Sequence, residues 1–145
     1  MIVYLDASLL VKRYLVETGS AAVERLLANT ELPGTSLISR AEVSAALRKA
    51  VRMSAITLEE GAEALKAFRS HWIHLARLKV EETTVAQADA LAWEHDLRGY
   101  DAVHLASALL WQEALGEPVT LAAFGKQLWD AAKLAGLSTW PEKLE

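Results

Sequence analysis

Three carboxylates stand where a folded chain could gather them around one cation. Asp6 follows directly on the apolar stretch Ile2-Val3-Tyr4-Leu5. Glu42 comes three residues after Ser39, at the head of a helix-like run, and Asp101 opens the apolar segment Asp101-Ala102-Val103-His104-Leu105-Ala106. Acids at helix starts have an ordinary use: their oxygens satisfy free backbone N–H groups and complement the helix dipole. Ser39-Arg40-Ala41-Glu42 has the S-x-x-E form of a capping box, so Glu42 has such a task available, and Asp6 is a candidate N-cap. The alternative is chemical. Carboxylates gathered at the edge of a core repel one another and raise each other's pKa. A divalent cation removes that conflict, and oxygen donors of this kind suit Mg²⁺ or Mn²⁺.

The elements that must position these residues can be read from pattern. Short apolar runs predict strands at 2–5, 35–38, 119–124 and 137–140, with a weaker one at 78–82. Helical spacing predicts helices over 6–15, 20–28, 39–50, 57–72, 84–97, 101–114 and 126–134. Thr57-Leu58-Glu59-Glu60 and Thr84-Val85-Ala86-Gln87 repeat the capping-box form. Pro33-Gly34 and Gly116 to Pro118 read as turns, Gly99 as an interruption and Gly136 as a stop. Strands and helices alternate, with the longest helical stretch between the second and third strands. The expected class is α/β: a three-layer α/β/α sandwich around a mostly parallel sheet, in one domain over 1–145. The carboxyl ends of parallel strands share one edge, where ligands bind. Asp6 and Glu42 belong at that edge, and Asp101 joins them if its helix starts beside the first strand.

Bulk properties narrow the setting. The chain has 145 residues, 52% hydrophobic and 23% charged, enough for a sizeable core and unlike a disordered segment. It has no cysteine, which excludes disulfides, thiolate metal sites and cysteine nucleophiles. No apolar run is long enough to span a bilayer, and the N-terminus lacks a signal peptide's features, so the expected compartment is the cytoplasm. A net charge of −4 gives no global attraction to a polyanion. Binding one would need a local basic patch or a bound cation.

Taken together, Leu5-Asp6-Ala7-Ser8 after a strand, Ser39 with Glu42 opening a helix, and Tyr100-Asp101-Ala102-Val103-His104-Leu105-Ala106 resemble the PIN-domain nucleases, and among them the VapC-type toxins of bacterial and archaeal toxin–antitoxin pairs. The resemblance runs over nearly the whole chain, to Gly136-Leu137 and Trp140-Pro141. It implies an acidic pocket binding Mg²⁺ or Mn²⁺, ribonuclease activity on single strands, a homodimer, and a cognate VapB-type antitoxin that blocks the pocket. By motif match Asp6, Glu42 and Asp101 take the metal-binding positions, and Ser8 is the hydroxyl that would steady the first aspartate or a metal-bound water. The sequence departs from the pattern once. Family members often carry a further acid just after the fourth strand, where this chain has Ala123-Phe124-Gly125-Lys126. Gly125 stands in that place, which puts a second metal in doubt, and Asp130 is not assumed to substitute.

Other residues have two readings. Arg40, Arg48, Lys49 and Arg52 could track a phosphate backbone or simply solvate a helix face, and Lys12 and Arg13 carry the same ambiguity. Arg98 could reach the pocket mouth or pair with Glu94. His104, three residues past Asp101, reads as a half-buried structural histidine rather than a ligand or base. The apolar face of Leu58, Ala62 and Leu65 reads as core, with partner contact as the alternative. The five tryptophans read as packing residues, with one or two at an oligomer or antitoxin surface as the alternative. Two rival functions remain open: a phosphoacceptor signalling domain, which would want paired acids after the first strand, and a PIN-like binding module that has lost catalysis.

Overall fold

The computed structural model describes residues 1–144. Five strands, β1 (Ile2–Leu5), β2 (Leu32–Ser36), β3 (Ala76–Leu78), β4 (Thr120–Ala122) and β5 (Ser138–Trp140), form one sheet in the order β3-β2-β1-β4-β5. Every pairing is parallel. Helices α1 (Ala7–Val11) and α2 (Ser20–Ala28) join β1 to β2, and α3 (Ser39–Arg52) and α4 (Leu58–Trp72) join β2 to β3. Helices α5 (Glu82–His95) and α6 (Gly99–Leu115) lead to β4, and α7 (Lys126–Leu134) leads to β5.

Two apolar clusters, one on each face, make this the expected α/β/α sandwich. Val3 and Leu5 pack with residues of α1 to α4, whereas Tyr4 packs with residues of α5, α6 and α7. Side chains alternate along a strand. Asp6 continues β1 in an extended conformation, with φ −67° and ψ 149°. It therefore shares the face of Tyr4 and looks toward α6, not toward its own helix. The chain runs from β1 outward to β2 and β3, then returns to lay β4 on the other flank of β1. The carboxyl ends of β1 and β4 thus form the switch point of the sheet, where crevices open in such folds. Asp6 sits in that crevice, its N–H donating to the Ala122 carbonyl at 3.1 Å.

Several sequence expectations need correction. Pro33-Gly34 is not a turn but lies inside β2. β3 pairs with β2 only from Gly34 onward, so the missing N–H of Pro33 falls where one flank of the strand is open. Gly34 is required by packing, since a Cβ there would lie 2.5 Å from Trp111 Cη2 of α6. The third strand is 76–78, not 78–82, and α5 starts at Glu82, where Glu81 and Thr84 form the capping box, so Thr84 is its inner member. Gly99 does not interrupt but begins α6. The capping box of Thr57 and Glu60 and the bounds of α7 are as expected. Trp72 and Trp111 are core residues, but Trp93 is 91% exposed. Leu58 and Ala62 are exposed too. With Leu65 and Arg48 they line an open groove of about 250 Å³ between α3 and α4; Leu65 still packs against the core, but Leu58 and Ala62 do not belong to it. Among the described residues no helix is long and apolar enough to cross a membrane.

Candidate active site

Each of the three acids sits at the start of a helix, and none of them caps it. Asp6 is the N-cap of α1 but makes no side-chain cap bond. Its Oδ2 instead accepts a hydrogen bond from the Ser8 hydroxyl. Glu42 lies in the first turn of α3, whose N-cap is Ile38, so the Ser39 capping box does not form. Asp101 lies in the first turn of α6 behind Arg98, again with no side-chain cap.

Ser39 has a different task. Thr35 Oγ1 donates to the Leu5 carbonyl at 2.7 Å and lies 2.6 Å from Ser39 Oγ, and both hydroxyls are fully buried. The Thr35 proton is committed to the carbonyl, so Ser39 must be the donor to Thr35. This pair ties the end of β1 to the first turn of α3, and so fixes Asp6 relative to Glu42.

His104 joins them. Its ring is completely buried, not half-buried as expected. Nε2 lies 2.7 Å from Glu42 Oε1 and 3.6 Å from Asp6 Oδ1. Nδ1 lies 2.6 Å from the Tyr4 hydroxyl. Two of the three acids thus converge on one imidazole nitrogen at the carboxyl edge of the sheet.

Asp101 is half-buried nearby, and its carboxyl is raised above the usual value. Burial is the main cause; the negative charges of Asp6 and Glu42 add to it, against His104 and Arg98. The Arg98 charge is thus felt at Asp101, and among the described residues it makes no ion pair with Glu94. Burial disfavours the His104 imidazolium, but the Glu42 hydrogen bond and the charges of Asp6, Glu42 and Asp101 outweigh it and raise the ring above its ordinary value. The Tyr4 hydroxyl is pushed well up by burial and then by Asp6, so it stays protonated.

The donor set is all carboxylate oxygen, which suits a hard cation. Among the described residues, no three His, Asp or Glu side chains already converge in a metal-binding arrangement. Glu42 faces His104 instead. Gly125, at the N-cap of α7, adds no acid, and Asp130 is engaged with Lys126 at 2.6 Å. Sequence reading undervalued His104 and passed over Tyr4 and Thr35. The spacing of three from Asp101 to His104 on one helix face was the available signal.

A parallel sheet with acids at its switch point defines an α/β protein of the class that places ligands at that edge. The chain belongs to the PIN domain family, whose profile matches residues 3–128. It is 36% identical to ribonuclease VapC45 of Mycobacterium tuberculosis (strain CDC 1551 / Oshkosh) over 145 residues, covering 99% of this chain and 98% of that protein. It is 34% identical to ribonuclease VapC46 of M. tuberculosis (strain ATCC 25618 / H37Rv) over 136 residues, 94% of each. The fold is shared with M. tuberculosis VapC20, described as a Sarcin-Ricin loop cleaving toxin (TM-score 0.69, 17% identity, 99% of both chains). It is also shared with VapBC2 of Rickettsia felis, solved on a DNA fragment from its promoter (TM-score 0.65, 17% identity, 97% and 99%).

Proposed function

We propose that this chain is a divalent-metal-dependent ribonuclease that cuts single-stranded RNA and acts as the toxin of a VapBC-type pair. The observation that carries the reading is the convergence of Asp6 and Glu42 on one buried nitrogen, with Asp101 within electrostatic reach. The full-length relatives named as VapC ribonucleases support it.

Asp6, Glu42 and Asp101 would hold Mg²⁺ or Mn²⁺. When bound, such an ion offsets charge developing on the phosphoryl group and lowers the pKa of a coordinated water. Ser8 fixes one oxygen of Asp6 and leaves the other toward the crevice. Thr35 and Ser39 hold the strand ends that space Asp6 from Glu42. The Arg98 charge stands at the mouth beside Asp101, where a phosphate would arrive.

A VapB-type antitoxin is the proposed partner, consistent with solved relatives that are toxin–antitoxin complexes. The chain itself is read as a homodimer. The groove between α3 and α4, with an apolar floor and Arg48 at its rim, is a surface such partners would cover.

The test is cleavage of unstructured RNA by purified protein with Mg²⁺ or Mn²⁺, with chelator, and by Asp6→Asn and Asp101→Asn proteins that retain their fold. Cleavage lost in chelator and in both variants is expected. No cleavage of any RNA by the wild type would favour the second reading, an inactive binding module, to which Gly125 lends weight.

A further inference from the structure

We infer that His104 is a positioning residue: with Tyr4 behind it, it holds Glu42 in place for cation binding. This rests on the acidic-site reading above. Glu42 is partly exposed in the first turn of α3, with a flexible side chain that the expected capping box would have drawn back to the backbone. It is instead drawn inward by His104 Nε2 at 2.7 Å, across 62 positions of sequence.

The chemistry fixes the ring's protons. An ionised carboxylate only accepts, so Nε2 must carry a hydrogen, whether the ring is neutral or charged. In the neutral ring Nδ1 is then bare and needs a donor. The Tyr4 hydroxyl, 2.6 Å away, supplies one. Tyr4 and His104 are both fully buried, and their rings meet edge to face at 5.7 Å; a flipped imidazole would set carbon atoms against both Glu42 and the Tyr4 hydroxyl and lose both hydrogen bonds. The line from Tyr4 to His104 to Glu42 therefore runs from the middle of β1 to the crevice, with one donor for each acceptor. Partners of this kind behind a metal ligand set its orientation, and their loss typically costs about 10–100-fold in metal affinity.

The experiment has two arms. Long-range ¹H–¹⁵N spectra of the metal-free wild type, taken at alkaline pH where the ring is neutral, should show the Nε2–H tautomer. An Nδ1–H tautomer, with a bare Nε2 facing Glu42, would overturn the proposal. In the second arm, calorimetry with Mn²⁺ should show affinity reduced about 10–100-fold in His104→Leu. His104→Gln, which keeps a donor for Glu42, should recover most of the loss, and Tyr4→Phe should fall between. Unchanged Mn²⁺ affinity in folded His104→Leu, or His104→Gln no better than leucine, would also overturn it. If the leucine protein does not fold, the glutamine and Tyr4→Phe proteins carry this arm. If the wild type binds no Mn²⁺ at all, the metal reading fails, and the tautomer alone decides whether His104 positions Glu42.

Discussion

His104 Nε2 lies 2.7 Å from Glu42 Oε1, joining the first turn of α3 to the second turn of α6 beside the end of β1. Glu42 gives up a local capping bond for a partner on a distant helix. A cap of this type contributes about 0.5–2 kcal/mol in other proteins. Declining it is a local cost that makes sense if the glutamate serves a shared site, since rule-breaking choices concentrate where function is.

The same contact makes stability depend on pH in a particular direction. The folded protein holds His104 above its ordinary pKa, so it binds that proton more tightly than the unfolded chain does. The resulting stabilisation is fully present below about pH 6.5, the unfolded imidazole value, and is lost as pH rises through the folded value. Metal-free protein in chelator should therefore melt at progressively lower temperature as pH rises above about 6.5. Thermal scans at fixed ionic strength read this directly. A melting temperature that stays flat or rises above about pH 6.5 contradicts it.

Asp101 should separate stability from activity. Its carboxyl is raised by burial and by Asp6, so its ionised form is less favourable in the fold than in the unfolded chain. Asp101→Asn removes that charge and should raise the melting temperature of the metal-free protein, by about 2 °C on the scale expected for a chain of this size. The same variant should lose RNA cleavage by a hundredfold or more, on the order of the cost of removing a metal ligand's support. A variant both less stable and equally active would contradict the placement of Asp101 at the site.

How far the sequence revealed this arrangement depended on whether a residue's role was local. The alternation of strands and helices follows from periodicity, and the parallel sandwich followed with it. Asp6, Glu42 and Asp101 were legible because each sits at a recognisable boundary. Their common freedom from capping was not, because Ser39-Arg40-Ala41-Glu42 has a valid local solution that only tertiary contacts overrule. Pro33-Gly34 failed for the same reason: the pair signals a turn locally, yet Trp111, 77 positions on from Gly34, needs a residue without a side chain at this point in β2. Tyr4 and Thr35 look like any strand residues until α6 and α3 are laid against them.

The Gly34–Trp111 contact gives a clean stability test away from the site. Gly34→Ala puts a methyl group 2.5 Å from Cη2 of a buried ring on one side of a paired strand. Alanine suits a strand no worse than glycine, so propensity predicts a neutral or favourable change. Overpacking predicts a loss of about 1–3 kcal/mol instead. Urea unfolding should show a lower midpoint with the slope unchanged. A midpoint at or above the wild type would mean that the core has room for the added methyl.

Gly125 offers the opposite case, a glycine whose vacancy the fold does not require. Its φ of −69° is open to any residue, and a Cβ there meets nothing within 4 Å. It is the N-cap of α7, where aspartate is preferred over glycine by a few tenths of a kcal/mol. It follows β4, whose Ala122 accepts the Asp6 N–H, so a charge at 125 would add to the negative potential at the carboxyl edge. Gly125→Asp should therefore fold with equal or slightly higher stability and bind Mn²⁺ more tightly, up to about tenfold for each 1.4 kcal/mol gained. Gly125→Asn is the control, because it supplies the same cap without the charge. Calorimetry that ranks the aspartate and asparagine proteins equal in Mn²⁺ affinity would show that position 125 lies outside the field of the site.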